Sequence, residues 1–208
     1  MYYTIDFEGI KGTPRADYML ALCNHTIIVT DNHGNTKKVI KFMPYEMQCK
    51  HIDTYESDDT GVKVDYISIK QDAYFKEYIK YDWMFIPYSY VKDSYYNSDK
   101  PNFNNLSSKL CHNGGEKTLI ILLDTPVYTA LNNLEPEVNN KKWKNRKYKS
   151  DKYLSTIRER YNHIYNMFSD VGNIKKINTE LGIKSNIDLI VSYLMNGITE
   201  PGDYWKIV

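Results

Sequence analysis

Tyr2-Tyr3-Thr4-Ile5-Asp6-Phe7-Glu8-Gly9-Ile10-Lys11-Gly12-Thr13-Pro14-Arg15-Ala16-Asp17 holds the strongest local pattern in the chain. An apolar and aromatic run from Tyr2 to Phe7 ends on the acidic Glu8. A turn bearing Gly9 and Gly12 follows. Helical spacing then begins near Pro14, with Met19, Leu20 and Leu22 on the apolar side. The order is strand, glycine-bearing turn, helix. In an α/β protein such a turn is suited to a phosphate, because the helix start offers unpaired N–H groups and the positive end of its dipole.

The turn has the length of a phosphate-binding loop, G-x-x-x-x-G-K-[ST]. Set on Gly9, the second glycine, the lysine and the hydroxyl residue fall on Pro14, Arg15 and Ala16. Gly12 and a basic charge survive. The lysine, the flexible second glycine and the magnesium-binding hydroxyl do not. The run Phe7-Glu8-Gly9-Ile10-x-Gly12 nonetheless resembles the thymidylate kinase family, whose loop reads F-E-G-[IL]-[DE]-G-x-G-K-[ST]-T. The resemblance implies a three-layer α/β P-loop kinase fold with a central parallel sheet of about five strands. It makes Gly9, Lys11, Gly12, Thr13 and Arg15 the nucleotide- and phosphate-binding candidates.

Composition bounds the alternatives. A chain of 208 residues is expected to be a single domain, residues 1–208, with a substantial core. Net charge is +1, so no global field argues for nucleic acid or for a basic partner. Cys23, Cys49 and Cys111 are scattered, without C-x-x-C or His/Cys ligand spacing, which predicts a reduced, cytoplasmic setting and no metal site. No apolar run approaches the length of a membrane span, and the N-terminus enters a strand at once, so neither a membrane nor a signal peptide is expected. The 20 tyrosines, with many Lys, Asn and Ile residues, point to an AT-rich coding sequence of viral, phage or bacterial origin. In a virus or phage the setting becomes the host cytoplasm.

The remaining segments fall in the order the family has them. Residues 25–30 and 36–42 flank Asp31-Asn-His-Gly-Asn35 and predict a hairpin. His25 and His33 stand at element edges in polar company, and a metal role is not expected of them. Phe42 and Pro44 resemble the Phe-Pro segment that follows the family's second strand and lines the monophosphate. Residues 62–80 carry apolar side chains at helical spacing. By the resemblance Gln71 stands where the family has a phosphate-gripping arginine, and a neutral amide cannot replace a bidentate guanidinium. Asp82 to Pro87 reads as a buried strand. Where the family then has Asp-Arg-Tyr, the chain has Pro87-Tyr88-Ser89; the following helix, through Tyr95 and Tyr96, is compatible with the family's tyrosine-bearing helix. Phe42, Gln71 and Tyr96 are therefore the monophosphate-pocket candidates. Ser98 to Glu116 is a long polar connection whose Cys111-His112 pair is isolated.

Thr118-Leu-Ile-Ile-Leu-Leu-Asp124 fits a fully buried parallel strand. A helix opens near Pro126, where the missing N–H costs nothing. This closely resembles the family's strand, Leu-Asp-x-Pro, helix. Residues 135–150 form a basic segment with Lys141, Lys142, Lys144, Arg146, Lys147 and Lys149. The family has its lid here, and Lys142, Lys144, Arg146 and Lys147 are the lid candidates, since phosphoryl transfer needs cationic charge on the equatorial oxygens. A solvated basic loop is the plainer alternative. Trp143 and Tyr148, interleaved among the cations, leave nucleic acid open as a partner. Ser150 caps a long amphipathic helix reaching about Ser169. A short strand at 173–178 and a helix at 185–196 close the pattern, and the tail to Val208 has no assignment.

Three functions compete. The first is a degenerate thymidylate-kinase-like protein, catalytically silent, that acts as a binding or structural subunit, as in a viral or phage assembly. Its partner would be a protein or a nucleotide, and a homodimer is compatible. The losses at the loop, the Asp-Arg pair and Gln71 argue for it: at roughly 2–4 kcal/mol of transition-state stabilisation each, even partial additivity leaves little rate. The second is an active, divergent deoxynucleoside monophosphate kinase of the dTMP type, the only reading that calls for ATP and Mg2+. The third is a two-metal 3′–5′ exonuclease opening with Asp6-x-Glu8, whose carboxylates would hold the metals; a clear downstream partner motif is missing.

Overall fold

The computed structural model describes residues 3–42, 83–85, 117–138, 150–170, 173–196 and 199–208. Four parallel strands make the central sheet: β1 (Tyr3–Glu8), β4 (Trp83–Phe85), β5 (Lys117–Asp124) and β6 (Ile174–Asn178), in the order β4-β1-β5-β6. β1 lies between β4 and β5, with Tyr3 opposite Lys117 and Glu8 opposite Leu122. β5 pairs in turn with β6, with Asp124 opposite Asn178. Ile120, Ile121, Leu122 and Leu123 are all buried, because this strand is covered on both faces.

Alternation along the strands sends apolar groups into two separate layers. Ile5, Phe7, Ile121, Leu123 and Ile177 pack with α1 (Arg15–Cys23) and α4 (Ile183–Met195). Ile120, Leu122 and Ile174 pack with α2 (Val127–Val138) and α3 (Asp151–Phe168). Helices on both faces of a parallel sheet make the three layers expected of the fold. Ser150 caps α3 as its side chain predicts: its Oγ accepts the Tyr153 N–H at 3.1 Å. α2 runs on to Val138, so residues 135–138, placed by the sequence in the basic segment, are its last turn.

The hairpin is β2 (Thr26–Thr30) and β3 (Thr36–Lys41), antiparallel. Asp31 closes its turn: Oδ1 accepts from the backbone N–H groups of His33 and Asn35 at 2.9 and 2.8 Å. The expected hairpin is present, and it lies outside the parallel sheet, in a separate three-stranded sheet, β3-β2-β7, with β7 (Tyr204–Ile207) formed by the tail that the sequence left unassigned. The physical reason is composition. Thr36-Lys-Lys-Val-Ile-Lys41 has only Ile40 buried, whereas a central parallel strand needs an apolar run for both faces. The described parallel sheet accordingly has four strands, against about five expected. Ile27, Val29, Ile40 and Phe42 join the core on the α1/α4 side.

Candidate functional site

The chain leaves β1 toward β4 on one side and leaves β5 toward β6 on the other. The carboxyl ends of β1 and β5 therefore flank the point where the strand order reverses, the usual crevice for ligands in open α/β sheets. The turn from Gly9 to Pro14 follows β1 there, and the pair Asp124-Thr125 stands at the end of β5.

Asp6 and Glu8 share one face of β1, two residues apart, and both are buried. Glu8 is wholly enclosed, and its Oε2 accepts the Tyr161 hydroxyl at 3.0 Å. One turn earlier on α3, Arg158 donates from Nε to Asp124 Oδ1 at 2.6 Å. Arg158 and Tyr161, three residues apart, share a helix face, so α3 reaches the ends of both strands. Beside them the Thr179 hydroxyl donates to the buried Thr125 hydroxyl at 3.2 Å.

The turn after β1 is closed upon itself. The Thr13 N–H donates to the Ile10 carbonyl at 3.1 Å. Pro14, with φ −79° and ψ 56°, makes an inverse γ-turn, and the Arg15 N–H donates to the Thr13 carbonyl at 2.8 Å. Two N–H groups that a phosphate-wrapping loop would aim at its anion are thus spent on carbonyls of the loop itself. Gly12 has φ +91°, and a methyl group there would stand 2.2 Å from the Ala130 carbonyl oxygen of α2. Asn133, one turn on, donates from Nδ2 to the Gly12 carbonyl at 2.9 Å. Gly9 also packs closely: a methyl group there would meet the Leu123 carbonyl oxygen at 3.0 Å and Thr13 Oγ1 at 2.8 Å. That Thr13 hydroxyl is buried and has no hydrogen-bond partner among the described residues.

The family resemblance of the loop would imply a nucleoside triphosphate with magnesium. The residues of this turn do not fit that pair. Ala16 offers the metal no oxygen, and among the described residues no group of three or more His, Cys, Asp or Glu side chains could hold a metal ion. The N–H groups of Thr13 and Arg15 face inward.

Of the sequence candidates, Gly9, Lys11, Gly12, Thr13 and Arg15 all lie on this turn or on the first residue of α1. Phe42 is buried among core residues. Gln71, Tyr96, Lys142, Lys144, Arg146 and Lys147 lie outside the described residues, as do Cys49 and Cys111. Arg158, Tyr161 and Asn133 were not among the candidates. Tyr161 stood in the apolar stripe of its helix, where its hydroxyl gave no signal. Arg158 could have been found as a cation three residues before it. Asn133 had no signal in the sequence at all.

No protein-family model matches the chain, and no curated protein matches it. Among solved structures it is similar to deoxyadenosine kinase from M. mycoides with products dCMP and a flexible dCDP bound, with a TM-score of 0.50 and 14% identity over 93% of this chain and 99% of that one. Two further structures of that enzyme, with bound dCTP and with bound dATP, match at TM-scores of 0.44 and 0.46 and identities of 16% and 15%; they cover 93% and 92% of this chain and 99% and 98% of theirs. At such identity the likeness is one of architecture. The chain has the α/β fold of a P-loop nucleoside kinase, with a parallel sheet between helical layers.

Proposed function

We propose that this chain is a nucleoside-kinase-like protein that has lost phosphoryl transfer and acts as a binding or structural subunit. The observation that carries the reading is the inverse γ-turn at Pro14, which turns the Arg15 N–H onto the Thr13 carbonyl at 2.8 Å. Catalysis of phosphoryl transfer is positioning and charge stabilisation. This loop has surrendered donors, lysine and metal hydroxyl together. The thymidylate-kinase ancestry rests on Phe7-Glu8-Gly9-Ile10-x-Gly12 and Leu123-Asp124-x-Pro126. Release of ADP in a coupled assay with ATP, Mg2+ and dTMP or dAMP should stay at background. Turnover near one per second would overturn the reading.

The second reading is an active deoxynucleoside monophosphate kinase. The overall likeness to a deoxyadenosine kinase structure favours it, as does Arg15 at the first helical position, where a basic side chain could stand in for the missing lysine. It requires turnover that Arg15→Ala abolishes. The exonuclease reading keeps its paired Asp6 and Glu8. It lacks access, since Glu8 is wholly buried against Tyr161.

A further inference from the structure

We propose that Arg158 is a phosphoryl-contacting side chain of the crevice, kept in place by Asp124. The proposal rests on the reading that the crevice retains ligand binding without transfer, and it names the ligand chemistry: a phosphoryl group, carried by a nucleoside monophosphate or free.

Four observations meet at this residue. Arg158 is tied to Asp124 through Nε alone, at 2.6 Å. A guanidinium is a planar fork with five N–H donors, and no described residue accepts from its terminal amino groups. The side chain is 37% exposed, so an anion can reach it, while Asp124 behind it is 18% exposed. The ion pair stands at the carboxyl end of β5, the strand beside β1, whose own carboxyl end leads into the Gly9–Pro14 turn. Next to it in sequence and along α3, the buried Thr125 and the Tyr161–Glu8 contact are enclosed in the protein.

The chemistry explains the pairing. With two loop N–H groups turned inward, an anion entering here needs another partner. A guanidinium matches phosphate geometry through two parallel N–H···O bonds, a match lysine cannot make. Asp124 has two effects. It fixes the direction of the fork through Nε. It also lowers the net charge that the anion meets, so affinity is restrained while geometry is held. The carboxylate is thus a competitor as well as a clamp.

The test is isothermal titration without metal of the full chain with inorganic pyrophosphate and, separately, with dTMP. The wild-type chain and the variants Arg158→Gln, Arg158→Lys and Asp124→Asn are compared, each checked for a cooperative melt. Wild type should bind at least one ligand. Tighter binding of dTMP than of pyrophosphate assigns the phosphoryl group to a nucleotide; the reverse order assigns it to a free anion. Arg158→Gln should weaken binding roughly tenfold or more. Asp124→Asn should tighten it several-fold, because the amide Oδ1 still accepts the Nε–H and holds the fork while the competing charge is gone. If Arg158→Gln does not fold, Arg158→Lys carries the test, because it keeps a charge beside Asp124 and removes the fork; it should weaken binding by a smaller factor. The proposal is overturned if neither ligand binds wild type or Asp124→Asn, if the folded Arg158 variants bind as wild type does, or if Asp124→Asn binds more weakly. ADP release is read separately. Turnover would remove the reading of lost transfer and leave the anion contact standing, whereas binding indifferent to Arg158 would remove the contact and leave that reading intact.

Discussion

Gly12 and Thr13 have opposite relations to the packing around them. Gly12 adopts φ +91° with the α2 backbone where a side chain would be, so both conformation and space demand glycine. Gly12→Ala should cost more than about 2 kcal/mol, from left-handed strain together with displacement of α2. A lowered urea midpoint with unchanged slope would show it. Thr13 buries an Oγ1 with no partner among the described residues, and an unmade hydrogen bond there costs about 1–3 kcal/mol. Thr13→Val keeps the size and removes the hydroxyl. It should raise the melting temperature; a fall would mean that the hydroxyl is satisfied in solution. Pro14 belongs to the same scale. Its ring sets φ near the value the γ-turn needs, and one residue thereby withdraws an N–H from the crevice.

At the scale of elements, α3 joins the site to the core. Its buried face, Leu154, Ile157, Tyr161, Ile164 and Phe168, packs against the sheet, and the same helix delivers Arg158 and Tyr161 to the ends of β5 and β1. Its start depends on Ser150, whose Oγ satisfies the Tyr153 N–H. Ser150→Ala should cost about 1 kcal/mol, with the loss seen as faster amide exchange in the first turn of α3. The elements most legible in the sequence were those whose environment repeats along them: β5 with its unbroken apolar run, α3 with its helical stripe, and the turn at Asp31. The hairpin was legible as a hairpin, but the sheet it joins was not, because strand pattern says how many faces are covered and not by what. β7 was illegible, since four residues with two half-buried side chains carry no period.

For the whole molecule, the small sheet and the tail are bound by charge as well as by backbone pairing. Lys37 Nζ donates to Glu200 at 2.9 Å and to Asp203 at 3.0 Å. The Glu200 carboxylate, then that of Asp203, raises the Lys37 amine above its ordinary 10.5. The Glu200 N–H, then Lys37, lowers the Asp203 carboxyl below 3.8. Burial raises the Tyr18 hydroxyl above 10.0, opposed by the hydrogen bond donated by Asn186. The signs follow from linkage. A raised Lys37 stabilises fully below 10.5 and loses that as pH passes through its folded value. Tyr18 does the same from 10.0 upward, because the unfolded chain ionises first. Asp203 stabilises above 3.8 and loses this as pH falls through its lowered value. Denaturant midpoints should therefore fall on the alkaline side from about pH 10, with a smaller acid decline below about pH 4. In Lys37→Met the alkaline fall should shrink to the part due to Tyr18.

By itself the sequence determined the class of fold, the position of the candidate loop at the end of β1 and the loss of its lysine and hydroxyl. All three are local facts, set by hydrophobic period, glycine placement and residue identity within a dozen positions. Only the tertiary structure decided that the loop leans on Ala130 and Asn133, that Arg158 and Tyr161 reach Asp124 and Glu8, and that residues 36–41 pair with the tail. Those outcomes depend on contacts between segments more than a hundred residues apart in several cases, and the partner across such a gap is chosen by packing in three dimensions, which no local pattern encodes.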